Sequence, residues 1–213
     1  MLAGMSGDDP GTSDKGARAE SPYSLREKLG RVAWMYAGSV LFRCTFHNWY
    51  GLRAWLLRRF GATVGPRVRI RSSVRVEQPW NLSIGENSSV GDRAILYCLG
   101  KVAIGRNVSI SQGVHVCAGS HDYRRADMPL LRMPIAVEDD AWLAADAFVG
   151  PGVAVGKGAI LGARGVAMQS LEQGWVYVGN PAVKVKRRDG TGSPASKTEG
   201  ASSEREREAG DWE

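Results

Sequence analysis

The sequence predicts an all-β fold, a coil of short parallel strands with about five turns, preceded by a helical segment and flanked by polar tails. Glycine supplies 27 of the 213 residues, nearly twice its usual share of about 7 per cent. Aliphatic residues recur every six positions from Val64 onward. A sustained internal period is the signature of a repeat architecture, so we expect the glycines at fixed places in a rigid coil.

Fourteen six-residue repeats, or hexads, lie between residues 64 and 166, and each begins with Val, Ile or Leu. Seven carry glycine at the second position, and the fifth is Val, Ala, Gly or Ser except at Trp80. Each hexad supplies one strand and one turn, so three hexads close a triangular coil with the first position inside. We expect the second-position glycines to relieve corners that need backbone freedom. Successive coils should stack as parallel ladders about 4.8 Å apart.

The repeat domain, a parallel β-helix, is assigned to residues 62–186 and is interrupted once at length. Residues 122–136 fit no hexad, and we predict that they form a loop leaving one corner. A loop of this length in a compact repeat domain is usually functional.

Residues 21–61 are predicted to be helical, because the segment starts at Ser21-Pro22, is amphipathic and ends at Gly61, which suits a helix C-cap. Its apolar face comprises Trp34, Trp49, Trp55, Leu56 and Phe60. Two interpretations stay open. The segment packs as a cap on the β-helix, or its basic, Trp-rich surface makes a peripheral contact with an anionic membrane through residues 22–60.

Residues 1–20 and 187–213 are small, polar and charged, so both are predicted to be disordered tails. Three cysteines without metal-ligand spacing indicate no disulfide framework and favour a cytoplasmic protein. No signal peptide is apparent, and the longest apolar stretch is far shorter than the roughly 20 residues of a spanning helix. The net charge of +6 comes with no nucleic-acid motif, so no nucleic-acid partner is expected.

The motifs outside the hexad pattern are more specific than the hexads. GSHDY at 119–123 and GNPA at 179–182 resemble the hexapeptide-repeat acyltransferases, and in particular the O-acetyltransferases of colanic acid and related exopolysaccharide biosynthesis. The resemblance covers roughly residues 22–187. It implies a left-handed β-helix, a homotrimer, acetyl-CoA as co-substrate and no metal. It also implies O-acetylation of a sugar hydroxyl on a polysaccharide precursor or a lipid-linked saccharide.

In enzymes of this family one histidine acts as general base, and the GSH motif assigns that role to His121. A neutral imidazole suits the step, because its ordinary pKa near 6.5 leaves it free to accept a proton from a hydroxyl at neutral pH. We expect His121 to close the third coil at the mouth of the loop. His115 and His47 are interpreted as structural or solvated residues.

The resemblance places acetyl-CoA in a groove between neighbouring subunits, along the stacked coils. Lys186 is expected near the CoA phosphates, with Lys184 or Arg187 as substitutes, because the nucleotide end is multiply anionic. The remaining candidates of the same register are Trp142, Ala144, Ala145, Gly162, Ala163 and Met168. A β-helix corner requires small residues in any case, so the alanines among them would bind the cofactor through their backbone amides.

The acceptor site departs from the family pattern. Galactoside-type relatives have an asparagine where this chain has Gly91-Asp92, and Cys98 stands where the exopolysaccharide branch usually has a polar amide. The candidate acceptor residues are therefore Asp92, Tyr97 and Tyr123.

Two other functions remain open from the sequence, and a third lacks one of its ligands. The same base would serve an N-acetyltransferase acting on an amino sugar. A non-catalytic β-helical scaffold would not bind acetyl-CoA. A zinc carbonic anhydrase of the same fold requires three histidine ligands, whereas the repeat domain contains only His115 and His121.

Overall fold

The helical segment of the computed structural model, which describes residues 23–188, contains three α-helices. Helix α1 spans Leu25–Ala33, a π-helical turn spans Trp34–Gly38, and α2 spans Ser39–Arg43, so these elements run on as one helix; α3 spans Tyr50–Arg59. A capping box begins α1: the Ser24 side chain accepts from the Glu27 amide while the Glu27 carboxylate accepts from the Ser24 amide. The predicted tail at 1–20 lies outside the described residues.

The helical segment packs on the first coil through only part of its predicted apolar face. The Trp34 ring lies edge-on to Phe42 and Phe60, and its Nε1 donates a 2.7 Å hydrogen bond to the Val76 carbonyl. In contrast, Trp49 and Trp55 are exposed. Of the apolar face that the sequence pattern identifies, the β-helix therefore covers only a part, and Trp49 and Trp55 lie outside the contact.

Three parallel sheets form the sides of the coil and confirm the all-β, parallel β-helix prediction. The first sheet contains β1 (Thr63–Val64), β4 (Leu82–Ile84), β7 (Val102–Ile104), β12 (Ile135–Val137) and β15 (Ala154–Val155). The second contains β2 (Arg69–Ile70), β5 (Ser89–Val90), β8 (Ser109–Ile110), β13 (Trp142–Leu143), β16 (Ile160–Leu161), β18 (Trp175–Val178) and the antiparallel β19 (Val183–Arg187). The third contains β3 (Arg75–Val76), β6 (Ile95–Tyr97), β9 (His115–Cys117), β14 (Phe148–Val149) and β17 (Val166–Ala167). One short 3₁₀ turn, Pro79–Asn81, joins the first coil to the second.

Five coils are thus complete in the described residues, and a sixth begins at Leu171, which bridges Val155 on the first sheet, and continues into β18. The first-position residues of all fourteen hexads are buried, and so are the valines and alanines at the fifth position. Both positions therefore line the interior, as the repeat predicts.

The chain past the last coil departs from the predicted boundary. Arg187 ends β19, and Arg188 donates from Nη1 to the carbonyls of Asp140 at 2.6 Å and Gly158 at 3.1 Å. These two residues, assigned from sequence to the tail, belong to the folded domain, because β19 pairs antiparallel with β18 at the edge of the second sheet and the Arg188 side chain reaches the two preceding coils. The rest of that predicted tail lies outside the described residues.

The second-position glycines are needed for a different reason from the one predicted. The left-handed backbone conformation occurs at the fourth position, for example at Asn87 (φ 60°) and Asn107 (φ 55°). At the second position a side chain would collide with the next coil, since a Cβ on Gly85 would lie 2.5 Å from the Gly105 carbonyl carbon. Close approach between coils, and not backbone freedom, selects these glycines.

We expect Gly85→Ala to lower the free energy of unfolding by about 1–3 kcal/mol, because the added methyl group must push two coils apart. Gly51→Ala is the matched control, because Gly51 lies inside α3 and a Cβ there would have nothing within 4 Å. Alanine at this position should stabilise the protein by about 0.5–1 kcal/mol. Urea unfolding measures both, and equal effects would contradict the inter-coil explanation.

Residues 122–136 contain regular structure, so the prediction of a loop throughout is wrong. Strand β10 (Gly119–His121) pairs antiparallel with β11 (Leu130–Arg132), and Ile135 already belongs to the first sheet. The hexad pattern does not reveal this hairpin, because its strands pair with each other and not with a neighbouring coil.

No helix among residues 23–188 combines the length and apolar character needed to cross a membrane.

Candidate active site

His121 stands on the hairpin that leaves the third coil, at the end of β10. It is exposed and lies opposite Leu130 on β11. The prediction that His121 closes the third coil is therefore wrong, because the chain has already left the coil at Gly119. The imidazole is instead presented outside the β-helix, where another molecule has access to it.

One hydrogen bond fixes the orientation of the His121 ring. Its Nδ1 lies 2.7 Å from the carbonyl oxygen of Met128. A carbonyl oxygen only accepts, so Nδ1 carries the proton in this contact. In the neutral imidazole the lone pair then resides on Nε2, which has no hydrogen-bond partner among the described residues. The ring is thus held as a base with Nε2 available.

The hairpin is fastened to the helical segment at its base. Arg132, opposite Gly119, donates to the Glu27 carboxylate at 3.0 Å. The Tyr23 ring makes cation–π contacts with two guanidinium groups, its centroid lying 4.4 Å from Cζ of Arg132 and 4.3 Å from Cζ of Arg31. These contacts stabilise the strand pair that carries His121 relative to α1.

Two corners of the triangular coil carry most of the candidate residues. We call the corner after the second sheet the second edge and the corner after the third sheet the third edge. His121 and its hairpin leave the third edge, because they follow β9. Residues 144–146 and 162–164 turn the second edge in the fourth and fifth coils, because they follow β13 and β16.

The second edge presents stacked backbone amides. The Arg164 amide donates to the Ala145 carbonyl at 2.8 Å, which places Ala163 directly beside Ala145 on the next coil. The amides of Ala145 and Ala163 donate to no acceptor within the described part of the chain. This edge therefore offers at least two unused N–H donors to a ligand.

The other second-edge candidates are used by the coil itself. Ala144 is buried and its amide donates to Leu161. The Gly162 amide donates to Tyr177, and a Cβ there would lie 2.9 Å from Val178. Trp142 lies beside this edge on the second sheet, 43% exposed, with Nε1 donating to the Ser111 hydroxyl at 3.0 Å. Of these three, only the Trp142 ring offers a surface to a ligand.

The basic candidates lie on β19, which extends the second sheet. Lys184 forms an ion pair with Glu172 at 2.6 Å and lies over the Trp175 ring, as Arg187 does. Lys186 is exposed and makes no ion pair among residues 23–188. Its charge is therefore available for an anion, which favours it over the two substitutes.

Met168 lies apart from the other cofactor candidates. It is exposed on the third edge of the fifth coil, packed over Gly150, on the side of the coil from which the His121 hairpin leaves.

The three acceptor candidates do not come together. Asp92 lies on the second edge, where the Ser73 hydroxyl at 2.7 Å and the Arg71 guanidinium at 2.8 Å hold the pKa of its carboxyl below the usual range. Tyr97 lies on the third sheet, edge-on to His115, and burial raises the pKa of its phenol. Tyr123 is exposed at the tip of the hairpin. Tyr97 and Tyr123 thus lie toward the third edge, with His121, and Asp92 does not.

Cys98 and His115 are structural residues of the coil. The Cys98 side chain is fully buried in the core, which raises the pKa of its thiol. The His115 ring lies between Tyr97 and Phe148, and burial lowers its pKa. Asn81, which no sequence pattern singles out, donates from its amide to the carbonyls of Cys98 and Leu99 at 3.0 Å. Between residues 23 and 188, no three His, Cys, Asp or Glu side chains form a group that could hold a metal ion.

The geometry divides the candidate site between two edges. Along the third sheet the two edges are separated by a side of about five residues, the strand and its flanking positions, or roughly 16 Å at about 3.3 Å per residue. His121, Tyr123 and Met168 lie at one end of that distance, and Ala145 and Ala163 at the other. One chain alone does not bring its candidate base to its candidate cofactor surface.

Comparison with known proteins adds a relative and two similar structures. The chain is 41% identical over 155 residues to the putative colanic acid biosynthesis acetyltransferase WcaF of Escherichia coli, covering 73% of this chain and 85% of that protein. The fold matches galactoside acetyltransferase in complex with coenzyme A, with a TM-score of 0.72 and 18% identity over 79% of this chain and 86% of the other. It also matches the hexapeptide-repeat acetyltransferase VCA0836 of Vibrio cholerae, with a TM-score of 0.72 and 20% identity over 78% and 94%. No family model matches the chain.

Proposed function

The chain belongs to the WcaF-like hexapeptide-repeat acetyltransferases, and from this premise we propose that it transfers an acetyl group from acetyl-CoA to a hydroxyl group of a saccharide, with His121 as general base. The observation that carries the proposal is the hydrogen bond from His121 Nδ1 to the Met128 carbonyl. It leaves Nε2 as the basic nitrogen on an exposed hairpin. A cytoplasmic setting agrees with the three free thiols among the described residues.

His121 has two tasks in this reaction. Its Nε2 accepts the proton of the sugar hydroxyl as the oxygen attacks the thioester carbonyl, and Met128 stabilises the imidazolium that forms. Nε2 then returns the proton to the departing sulfur, so the histidine ends as it began. Acetyl-CoA supplies the activated acetyl group, and no acetylated form of the enzyme is required.

Acetyl-CoA fits the donor set of the second edge. The unused amides of Ala145 and Ala163 would donate to the carbonyl oxygens of an extended pantetheine chain. The exposed ring of Trp142 offers it an apolar surface, and Lys186 provides an unpaired cation for phosphate. Met168 belongs to the third edge, so we assign it to the side of the acceptor and His121.

A homotrimer would unite the two edges. In a threefold ring every contact is head-to-tail, so the third edge of one copy meets a different surface of the next. If that surface is the second edge, three complete sites form, each with His121 from one copy and the stacked amides from its neighbour. The separation of the two edges within one chain supports this arrangement.

The acceptor we propose is a saccharide hydroxyl, as the WcaF and galactoside acetyltransferase names imply for those proteins. Tyr97 and Tyr123 are the acceptor candidates on the His121 side, and both present phenol groups suited to sugar hydroxyls. Asp92 would serve only from the neighbouring copy, because it lies on the second edge.

Coexpression of two inactive variants tests the shared site. His121→Ala lacks the base, and Ala163→Trp blocks the second edge, so each alone should be inactive. In mixed trimers formed by random assortment, about one site in four combines an intact base with an intact edge. We expect roughly a quarter of native activity from the mixture, measured as CoA release. Activity no higher than in the separate variants would place both halves of the site in one chain.

A further inference from the structure

A continuous apolar stripe runs along the outside of the first helix. Leu25, Leu29, Val32, Tyr36 and Val40 recur at spacings of three and four, which puts them on one face. All five are exposed, and the exposed fraction reaches 73% for Leu25 and 71% for Tyr36. Monomeric proteins rarely leave so many large apolar side chains together in water, so the stripe is a binding surface.

The packing of the helix fixes the direction in which the stripe faces. Trp34, Gly38 and Phe42 form the opposite face and are buried against the first coil. The Trp34 hydrogen bond to Val76 and the ring contact with Phe60 hold that face in place. Because the two faces lie on opposite sides of one helix, burying the stripe on the β-helix would expose the face that contains Trp34 and Phe42. The stripe therefore faces away from the β-helix.

Cations line the grooves on both sides of the stripe. The groove between α1 and the end of α3 contains Arg26 and Arg59 beside Leu29, Phe60 and Trp80. The groove on the other flank contains three more such cations, Lys28, Arg43 and Arg75, together with the Arg31–Glu77 ion pair at 3.5 Å. The five cations other than Arg31 are exposed and form no ion pair with another residue between 23 and 188. The carboxylate that lines the first groove, Glu27, is already paired with Arg132. The stripe is thus an apolar surface between two rows of uncompensated positive charge.

The rest of the chain offers little to cover this surface. Residues 1–22 contain only three large aliphatic side chains, those of Met1, Leu2 and Met5, and residues 189–213 contain one large apolar residue, Trp212. A second copy of the chain would bring the same rows of positive charge, which repel each other. The charge pattern instead complements an anionic surface with an apolar layer beneath it.

We propose that the helix spanning residues 25–43 docks on an anionic lipid bilayer, with the stripe in the boundary between headgroups and acyl chains and the flanking cations on the lipid phosphates. Basic amphipathic helices with aromatic and aliphatic residues on one face bind membranes in this manner. The contact puts the Glu27–Arg132 ion pair, and with it the base of the His121 hairpin, close to the membrane. Where the proposed acetyl transfer holds, a saccharide carried on a lipid is the acceptor class that this position favours.

Vesicle co-sedimentation of the full chain tests the proposal without requiring any enzymatic activity, so its failure and the failure of the proposed function are distinguishable. The probes are vesicles of phosphatidylglycerol mixed with phosphatidylcholine, and vesicles of phosphatidylcholine alone. We expect binding to the anionic vesicles that weakens with salt. Arg26→Gln with Arg43→Gln should lower the partition coefficient about 25-fold, since each basic residue near an anionic surface contributes about a factor of five.

Two further variants complete the test. Lys101→Gln with Lys157→Gln removes the same charge from exposed sites on the β-helix and should leave binding within about twofold, since neither site borders the stripe. Leu29→Asp with Tyr36→Asp should abolish binding without changing the thermal unfolding temperature, because both side chains are exposed. Failure of the native chain to bind anionic vesicles would overturn the proposal. So would a smaller assembly in the aspartate variant with unchanged vesicle binding, which would assign the stripe to a second copy.

Discussion

Replacing His121 by alanine should lower turnover at least about a hundredfold while leaving the affinity for acetyl-CoA within about twofold. General-base catalysis by a positioned histidine contributes about 10²–10⁴-fold, and alanine has no group to accept the hydroxyl proton. The residues that we assign to the cofactor lie on or beside the second edge, and the His121 imidazole is not among them. Turnover is measured as release of the CoA thiol, and affinity by titration calorimetry.

A second histidine supplies the control for this experiment. His115→Phe keeps an aromatic ring between Tyr97 and Phe148 and removes a buried Nε2 that has no partner in the described structure. Its turnover should stay within about threefold of native, because the ring takes no part in the proposed proton transfer. Turnover of His121→Ala close to that of His115→Phe would refute the assignment of His121 as the base.

Replacing Arg53 by methionine should lower the free energy of unfolding by about 3–5 kcal/mol. Arg53 is fully buried, and its guanidinium donates to the carbonyls of Ile70 at 2.6 Å, Phe46 at 2.8 Å and His47 at 2.7 Å, and to the Thr45 hydroxyl at 2.6 Å. Methionine fills similar volume but leaves those oxygens without a donor, and each unsatisfied buried group costs about 1–3 kcal/mol. Chemical denaturation of the full chain measures the change.

Arg59 is the matched control for Arg53, since it lies on the same helix and is exposed, with no ion pair in the described structure. Arg59→Met should change the free energy of unfolding by no more than about 0.5 kcal/mol. The Arg53 hydrogen bonds join α3 to residues 45–47 and to β2. Similar losses of stability in the two variants would show that these hydrogen bonds do not stabilise the packing of α3 on the first coil.

The hexads predict the fold well because each reports a local rule. Val64 and every later first-position residue face the interior, so each six-residue repeat of the sequence corresponds to one strand of the structure. The purpose of the glycines is harder to infer, because Gly85 is constrained by Gly105, twenty residues later. Contacts between coils are not visible in a single repeat.

The helical segment shows the opposite limit. Arg53 looks like a solvated charge on an amphipathic helix, and its burial depends on carbonyls from Phe46, His47 and Ile70 that only the folded chain brings together. Trp55 belongs to the apolar face of the sequence pattern, and the folded chain leaves it exposed. In both cases the pattern identifies an amphipathic helix, but the direction in which it packs depends on the tertiary structure.

The candidate site was predictable in its chemistry and not in its geometry. The GSH motif identifies His121 by resemblance, yet the hairpin that turns its Nδ1 toward Met128 lies outside the repeat and could not be inferred from it. The register identifies Ala145 and Ala163, but their separation from His121 follows from which corner of the triangle each occupies. Asp92 shows the same limit. The sequence groups it with Tyr97 and Tyr123 as an acceptor candidate, but it lies on the second edge and they lie toward the third.

Transfer of a radiolabelled acetyl group is the most direct test of O-acetyl transfer with His121 as the base. The full chain is incubated with labelled acetyl-CoA and a panel of undecaprenyl-linked and nucleotide-linked sugars, and saccharide, protein and CoA thiol are then analysed separately. We predict that label appears on a saccharide as an alkali-labile ester, in equal amount to the thiol released, and that His121→Ala abolishes it. Label retained on the protein, or found only as an alkali-stable amide, would contradict direct O-acetyl transfer with His121 as the base.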